Sequence, residues 1–368
     1  MIIKSLELTD YRNYESLNIS FDKGTNILYG DNAQGKTNIL EAIYLSATTK
    51  SHKSSKDKEI IRFDKEEAHI RTYLEKDDYE TKVDIHLRSS KSKGIAIDGI
   101  KIKKAAELLG LLKVVFFSPE DLSIIKNGPS ERRRFIDIEL CQLDSFYLYN
   151  LNNYNKIVNQ RNNLLKNLYY TPELKDTLSI WDAQLVSYGS KIIERRKLFI
   201  EQLNEIISEI HNNISGGKEI LRIVYEPDVE IENYENHLLI NHDKDIKLKQ
   251  TTVGPHRDDI SFLVKNENTN NIEIDIRKYG SQGQQRTAAL SLKLSEIEMV
   301  KKVTKDTPVL LLDDVLSELD SNRQNFLLDS IGNTQTIITC TGLDDFVNDR
   351  FEINKVFKVT NGNVSEAS

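Results

Sequence analysis

Thr25-Asn26-Ile27-Leu28-Tyr29-Gly30-Asp31-Asn32-Ala33-Gln34-Gly35-Lys36-Thr37 is the stretch whose reading decides the fold. The apolar run Ile27 to Tyr29 reads as a buried strand that stops at a glycine. From Gly30 to Thr37 the spacing is G-x-x-x-x-G-K-T, a phosphate-binding loop. Gly30 and Gly35 let the backbone turn tightly, so that the N–H groups across Asp31, Asn32, Ala33 and Gln34 converge on one phosphate. Lys36 adds a flexible positive charge for the β- and γ-phosphates, and the Thr37 hydroxyl can ligate Mg²⁺. Ile39, Leu40, Ile43 and Ala47 then recur at helical spacing. The N-terminus of that helix would aim its positive dipole end at the phosphates.

A second stretch completes the chemistry. Val309-Leu310-Leu311-Leu312-Asp313-Asp314 is a fully apolar strand ending in two carboxylates. Acids at the C-terminal end of a buried strand lie where open α/β sheets bind ligands. Asp313 is placed to hold Mg²⁺, and Asp314 to orient or deprotonate an attacking water. Between the two stretches, Tyr279-Gly280-Ser281-Gln282-Gly283-Gln284-Gln285-Arg286 leads into a helix with Ala288, Leu292, Ile297 and Val300 inward. Serine and glycine at a helix start offer a second anion site through Ser281, Gly283 and Gln284.

The 368 residues suffice for two domains, or for one large domain with an insertion. A hydrophobic content of 39% against 29% charged residues is that of a soluble globular chain. A net charge of −7 excludes a protein that coats nucleic acid with its whole surface, so a polyanion would have to meet a local basic patch. Cys141 and Cys340 lack metal-ligand spacing and suit a reducing cytosol. Polar and acidic residues come too early at the N-terminus for a secretory leader, and no run reaches the roughly 18 apolar residues of a membrane span. A cytoplasmic protein without membrane contact is expected.

Along the chain, Ile2, Leu6 and Leu8, then Leu17, Ile19 and Phe21, alternate as two strands around the turn Asp10 to Tyr14. Arg12 in that turn either reaches a bound nucleotide or lies in solvent beside a packed tyrosine. Thr48 to Lys58 carries Lys50, Lys53, Lys56 and Lys58, which suits either DNA phosphates or a solvated loop. Residues 68–102 alternate as antiparallel strands with an Asp98-Gly99 hairpin turn, and Val114 to Phe117 is a further apolar strand. Helices follow from about Leu122, one of them capped by Ser130 and bearing Arg132, Arg133 and Arg134. Leu151, Tyr154, Val158, Leu165 and Leu168, then Leu178, Trp181, Leu185, Tyr188, Ile192, Phe199, Leu203, Ile206 and Ile210, predict two long helices around Pro172. The second would span roughly 35 residues and about 50 Å, a projecting arm closed by Gly216-Gly217. Residues 218–279 read as strand-like, with a polar loop at 266–271. Gly254-Pro255-His256-Arg257-Asp258-Asp259 reads as a turn opening an ion-paired strand, with a metal or acid/base site as the alternative.

Taken in order, Gly30–Thr37, Ser281–Arg286, Asp313–Asp314 and Ser317–Asp320 resemble the four motifs of ATP-binding-cassette ATPases, as found in SMC- and Rad50-like heads. The stretches at Tyr11–Tyr14, Ser51–Lys53, Gly254–Asp259 and Gly280–Thr287 look like the bacterial RecF family, essentially end to end. The resemblance implies an α/β fold with a cassette-type head, a mixed β core plus an antiparallel β subdomain, and an inserted α-helical hairpin arm. Its head would be residues 1–120 and 216–368, and the arm residues 121–215. It further implies ATP and Mg²⁺ as cofactors, with a nucleotide site at Gly30–Thr37, Arg12, Ser281, Gly283 and Gln284. Lys36, Asp314 and Ser281 would be catalytic, Thr37 and Asp313 metal ligands, and Lys50, Lys53 and Lys56 DNA contacts. The activity implied is a weak DNA-stimulated ATPase used as a switch. The signature serine of one copy would complete the site of another, giving an ATP-driven homodimer on gaps and junctions of single- and double-stranded DNA. Assistance to recombinase loading, SOS induction and the partners RecR and RecO are implied as well.

Two departures matter. The second acid is Asp314 where most cassette ATPases have glutamate, which implies slow hydrolysis, and the switch histidine is absent, with Thr339 and Thr341 nearby. Competing readings are another SMC/Rad50-like ATPase with a DNA end-processing role, a transporter ATPase subunit, a nuclease, and an ATP-independent binder. Transporter subunits place loop and signature about a hundred residues apart, whereas roughly 250 intervene here.

Overall fold

The computed structural model describes residues 1–53, 56–266, 272–332, 334–343 and 352–367. Strands β1 (Ile2–Tyr11), β2 (Tyr14–Ser20) and β3 (Thr25–Tyr29) precede helices α1 (Lys36–Thr48) and α2 (Asp57–Ile60). Strands β4 (Glu67–Lys76), β5 (Tyr79–Arg88), β6 (Gly94–Ile97), β7 (Ile100–Lys101) and β8 (Val114–Phe117) come next. Helices α3 (Leu122–Lys126), α4 (Pro129–Leu143), α5 (Ser145–Asn167) and α6 (Leu178–Ile214) lead to β9 (Glu219–Glu226). Helices α7 (Tyr234–Ile240) and α8 (His242–Leu248), strands β10 (Asp259–Asn266) and β11 (Ile274–Asp275), and helices α9 (Ile276–Tyr279) and α10 (Gln282–Thr304) follow. The chain continues through β12 (Val309–Asp313), α11 (Ser321–Ile331), β13 (Thr336–Cys340), β14 (Ile353–Thr360) and β15 (Asn363–Glu366). None of the described helices is long and apolar enough to cross a membrane.

Two compact units divide the chain, Met1–Asp121 with Lys293–Ser368, and Leu122–Leu292. In the first, a sheet of order β15-β14-β3-β13-β12-β8 is parallel except at β15. Ile27, Leu28 and Leu310 to Leu312 are fully buried, as strands in the middle of a covered sheet must be. The order decides the site: β3 and β12 flank β13, so the glycine-loop strand and the acid strand end one strand apart. The register sets Asp313 beside Thr339 and Tyr29 beside Cys340. A second, antiparallel sheet runs β2-β1-β4-β5-β6-β7, with the expected two-residue hairpin turn at Asp98 and Gly99, at φ of 51° and 79°. Its inner face, including Leu6, Leu8, Ile70, Leu74, Val83, Ile85 and Leu87, shares one core with Ile39, Leu40 and Ile43 of α1.

In the second unit α5 and α6 pack along each other, and α6, at 37 residues, is about 56 Å long. The pair is not a bare arm: α6 packs on β9 and α7, and α5 on α8. Residues 218–279 are not simply strand-like either, since α7 and α8 interrupt them. Helix α4 starts at Pro129 with Gly128 as its cap, not at Ser130, because proline at the first helical position needs no N–H partner. The expected 266–271 loop lies outside the described residues, apart from the backbone of Asn266.

The units part at 121/122, next to the expected 120/121, but rejoin at 292/293 rather than at 215/216. Buried ions explain the shift. Arg196 of α6, 2% exposed, donates to Asp258 at 2.8 Å, Asp137 at 2.8 Å and the Pro255 carbonyl at 2.6 Å. Arg161 of α5, fully buried, donates to Asp182 at 2.8 Å and Asp245 at 2.6 Å. Removing one partner of such a pair costs roughly 3–5 kcal/mol, so the segment after Gly217 is bound into the helical unit.

Candidate nucleotide-binding site

The loop after β3 closes on itself. Gly35 caps α1 at φ 114°, and a Cβ there would stand 2.6 Å from the Asn13 amide and 2.7 Å from the Tyr14 hydroxyl. At Gly30 a Cβ would lie 2.3 Å from the Val359 carbonyl oxygen, so the backbone of β14 admits only glycine. Lys36, 4% exposed, lays its ammonium across the loop, donating to the carbonyls of Gly30 at 2.6 Å and Asp31 at 3.0 Å. Asp31, Asn32 and Ala33 are exposed along the rim, with Ala33 at φ 63°.

Two turns, Asp10–Tyr14 and the one at Asn361, brace this loop through contacts that the sequence does not reveal. The Asn13 amide donates to the Gln34 carbonyl at 2.9 Å and accepts from Asn38 at 2.8 Å. The Asn361 and Gly362 N–H groups donate to the Gln34 side chain at 2.6 Å and its carbonyl at 3.2 Å. The Gln34 side chain is therefore engaged by protein. The only sequence signal is that both braces are polar residues in hairpin turns.

On the acid strand, Asp313 is 7% exposed and accepts from Thr37 and Thr339, each at 2.8 Å. Burial pushes its carboxyl above the usual carboxylate value; the two hydroxyls and Lys53 oppose this, and Asp314 adds to it. Asp314 sits at φ 50° with its backbone clamped: its N–H donates to the Thr339 hydroxyl at 3.0 Å and its carbonyl accepts from Ser317 at 2.8 Å. Thr339 thus bridges both acids from the strand between, while Thr341 is exposed. The Thr37 hydroxyl and the buried Asp313 carboxylate bring two hard oxygens to one point, a donor set that fits Mg²⁺.

Arg12 is held by an acid of the same unit. Its guanidinium forks the buried Glu41 of α1 at 2.8 and 2.6 Å and donates to the Glu59 carbonyl at 2.8 Å. Glu41 also accepts from Tyr11 at 3.1 Å and Ser51 at 2.6 Å. Burial works to raise the Glu41 carboxyl, but the hydrogen bonds from Arg12 and Ser51 and the Arg12 charge outweigh it and hold it below its usual value. The Tyr11–Tyr14 and Ser51–Lys53 stretches therefore meet on one acid. Its signal was a lone carboxylate within the apolar run of α1. Lys50, Lys53 and Lys56 are exposed.

In the second unit Ser281 caps α10. Its N–H donates to Gln284 Oε1 at 2.9 Å, and the Gln284 N–H donates to its hydroxyl at 3.2 Å, a reciprocal capping box. The Gln284 amide also donates to Glu219 at 2.7 Å, and Gly283 sits half-buried in the first turn. The Gly254–Asp259 stretch is the ion-paired strand start: Asp258 accepts from Arg196 and Tyr225, and Asp259 is forked by Arg132 at 2.6 and 3.0 Å. His256 is held by the Tyr154 hydroxyl at 2.7 Å and the Thr251 carbonyl at 3.0 Å, and burial lowers its pKa.

Comparison with known proteins agrees with this geometry. The family model described as RecF/RecN/SMC N terminal domain matches residues 2–365. A DNA replication and repair protein RecF of Agathobacter rectalis is 64% identical over 364 residues, 99% of each chain. The solved structure of the recombination mediator protein RecF-ATP in the RecFOR pathway is 37% identical, superposes with a TM-score of 0.90, and covers 100% of this chain and 97% of that one. The Smc head of Pyrococcus furiosus bound to the C-terminal domain of ScpA, at 19% identity, TM-score 0.57, and 100% and 96% coverage, shares the fold. A cassette-type loop joined through Thr37 to the acid strand, in a chain matched from end to end, places this protein in the RecF family of SMC-like ATPases.

Proposed function

We propose that this chain is an ATP-dependent switch of recombinational DNA repair that dimerises on DNA when it holds ATP. The observation that carries the reading is the assembly of Lys36, Thr37, Asp313, Asp314 and Thr339 at adjoining ends of parallel strands. Lys36 is positioned to exchange the Gly30 and Asp31 carbonyls for β- and γ-phosphate oxygens. Thr37 and Asp313 would hold Mg²⁺, which supplies charge neutralisation of the phosphates. Asp314, its backbone clamped at both ends, orients the attacking water. Being one methylene shorter than glutamate, it favours slow turnover, as a switch requires.

The chain has one phosphate loop and one signature, Ser281 to Gln284. A helix start capped by serine is suited to a γ-phosphate held by a second copy, so ATP stabilises the closed dimer by binding it better than the open monomer. Exposed Lys50, Lys53 and Lys56 suit contact with gapped or junction DNA, single- and double-stranded, and DNA would stimulate hydrolysis. On the RecF likeness, RecR and RecO are the protein partners, recombinase loading and SOS induction the outputs, and the cytoplasm the location.

Dimer mass by light scattering and DNA affinity, each measured with and without ATP and Mg²⁺, test this. Asp314→Asn should form an ATP-dependent dimer that outlasts the wild-type one, and Lys36→Met and Ser281→Arg should stay monomeric. A monomer in all conditions for Asp314→Asn would overturn the reading.

A further inference from the structure

The outer face of the antiparallel sheet carries a cluster that the nucleotide site does not use. Glu67 and His69, two residues apart on β4, share a face, and the ladder sets His69 directly across from His86 on β5. The two imidazoles stack at 4.0 Å with 22° between their planes. His86 Nε2 lies 2.8 Å from Glu67 Oε2, and one ligand atom from each of the three side chains lies within 4.8 Å of the other two. Among the described residues this is the one such convergence of three metal-ligating groups.

Two arginines, Arg71 and Arg88, border the cluster. Gly94, the partner of His86 on β6, places no side chain on this face; Arg88, across from Glu67 on β5, lies beside it, its guanidinium 3.2 Å from where a Gly94 Cβ would stand. Arg71, the next cation along β4, is occupied by Asp84 at 2.6 Å and Glu7 at 3.3 Å. Burial and the neighbouring His86 both lower the His69 pKa, favouring the neutral ring that ligates metals.

We propose that Glu67, His69 and His86 bind one divalent transition ion of the Zn²⁺ class. Two imidazole nitrogens and one carboxylate oxygen select Zn²⁺, Ni²⁺ or Cu²⁺ over Mg²⁺ and Ca²⁺, which prefer all-oxygen sites. Three protein ligands leave a position for water or for a group from a partner. The ion would tie β4 to β5 in the antiparallel subdomain.

Isothermal titration of Zn²⁺ into the tag-free full-length chain, in excess Mg²⁺ and in a Cys141→Ser, Cys340→Ser background, tests the site. Visible spectra of the Co²⁺ form report the ligands. One ion per chain is expected, and His69→Gln or His86→Gln should weaken it by more than ~100-fold, beyond what loss of a residue that only supports a ligand costs. Glu67→Gln should weaken it less and shift the Co²⁺ bands. Circular dichroism checks that the surface variants fold. Equal affinity in the wild type and both histidine variants, or no binding tighter than ~1 mM, would overturn the proposal.

Discussion

Replacing Thr339 by valine preserves a β-branched side chain in a central strand and removes one hydroxyl. That hydroxyl, on a residue 1% exposed, donates to Asp313 at 2.8 Å and accepts from the Asp314 N–H at 3.0 Å. Losing the acceptor leaves a backbone donor unsatisfied, at about 1–3 kcal/mol, and a hydrogen bond to a carboxylate is worth about 1.5–3 kcal/mol. The two terms share one atom and do not add fully, so about 2–4 kcal/mol is expected. At about 2–4 °C per kcal/mol for a unit of this size, the thermal midpoint should fall by roughly 5–15 °C. If the loss lies in placing the two acids, ATP turnover should fall by roughly 30- to 1000-fold. Thr339→Ser keeps the hydroxyl and should retain most of both. Wild-type melting and turnover in Thr339→Val would refute the reasoning, and a serine variant as impaired as valine would show that the methyl group matters instead.

Further predictions follow the same contacts. Gly30→Ala meets a backbone carbonyl and should abolish ATP binding, whereas Gly35→Ala meets side chains that can shift; binding of a fluorescent ATP analogue should rank them in that order. Because the Asp313 carboxyl is raised in the folded chain, the native state binds that proton more tightly than the unfolded one, and stability falls as pH rises above the ordinary carboxylate value. In Mg²⁺-free buffer, Asp313→Asn should therefore melt above wild type at neutral pH, with the gap closing as pH drops toward ~4, and it should lose ATP turnover. Arg196→Met leaves Asp258 buried without its cation and should destabilise the helical unit by about 3–5 kcal/mol, read from its urea midpoint.

Arg12 and the second unit boundary show where linear reading stops. The chemistry of Gly30–Thr37 and Asp313–Asp314 was legible because it is local: a glycine spacing, a lysine and a threonine in one turn, and two acids closing an apolar run. The strands flanking Asp98-Gly99 and the helices flanking Pro172 were legible for the same reason, since side-chain periodicity is a property of neighbours in sequence. The protein partner of Arg12 was not legible, because Glu41 lies 29 positions away and is recognisable only once β1 meets α1. The boundary moved because the buried face of the long helices carries Arg161 and Arg196, and hydropathy periodicity counts apolar residues while ignoring charges that find partners.

That this chain handles a nucleoside triphosphate is written locally, in a loop and an acid pair whose geometry each fits within a few residues. That Thr37, Asp313 and Thr339 share one point, that Asn13 and Asn361 brace the loop, and that His69 faces His86 emerges only in the folded chain. Those pairings come from the order and register of strands, which are set by whole-sheet packing rather than by any local run of residues.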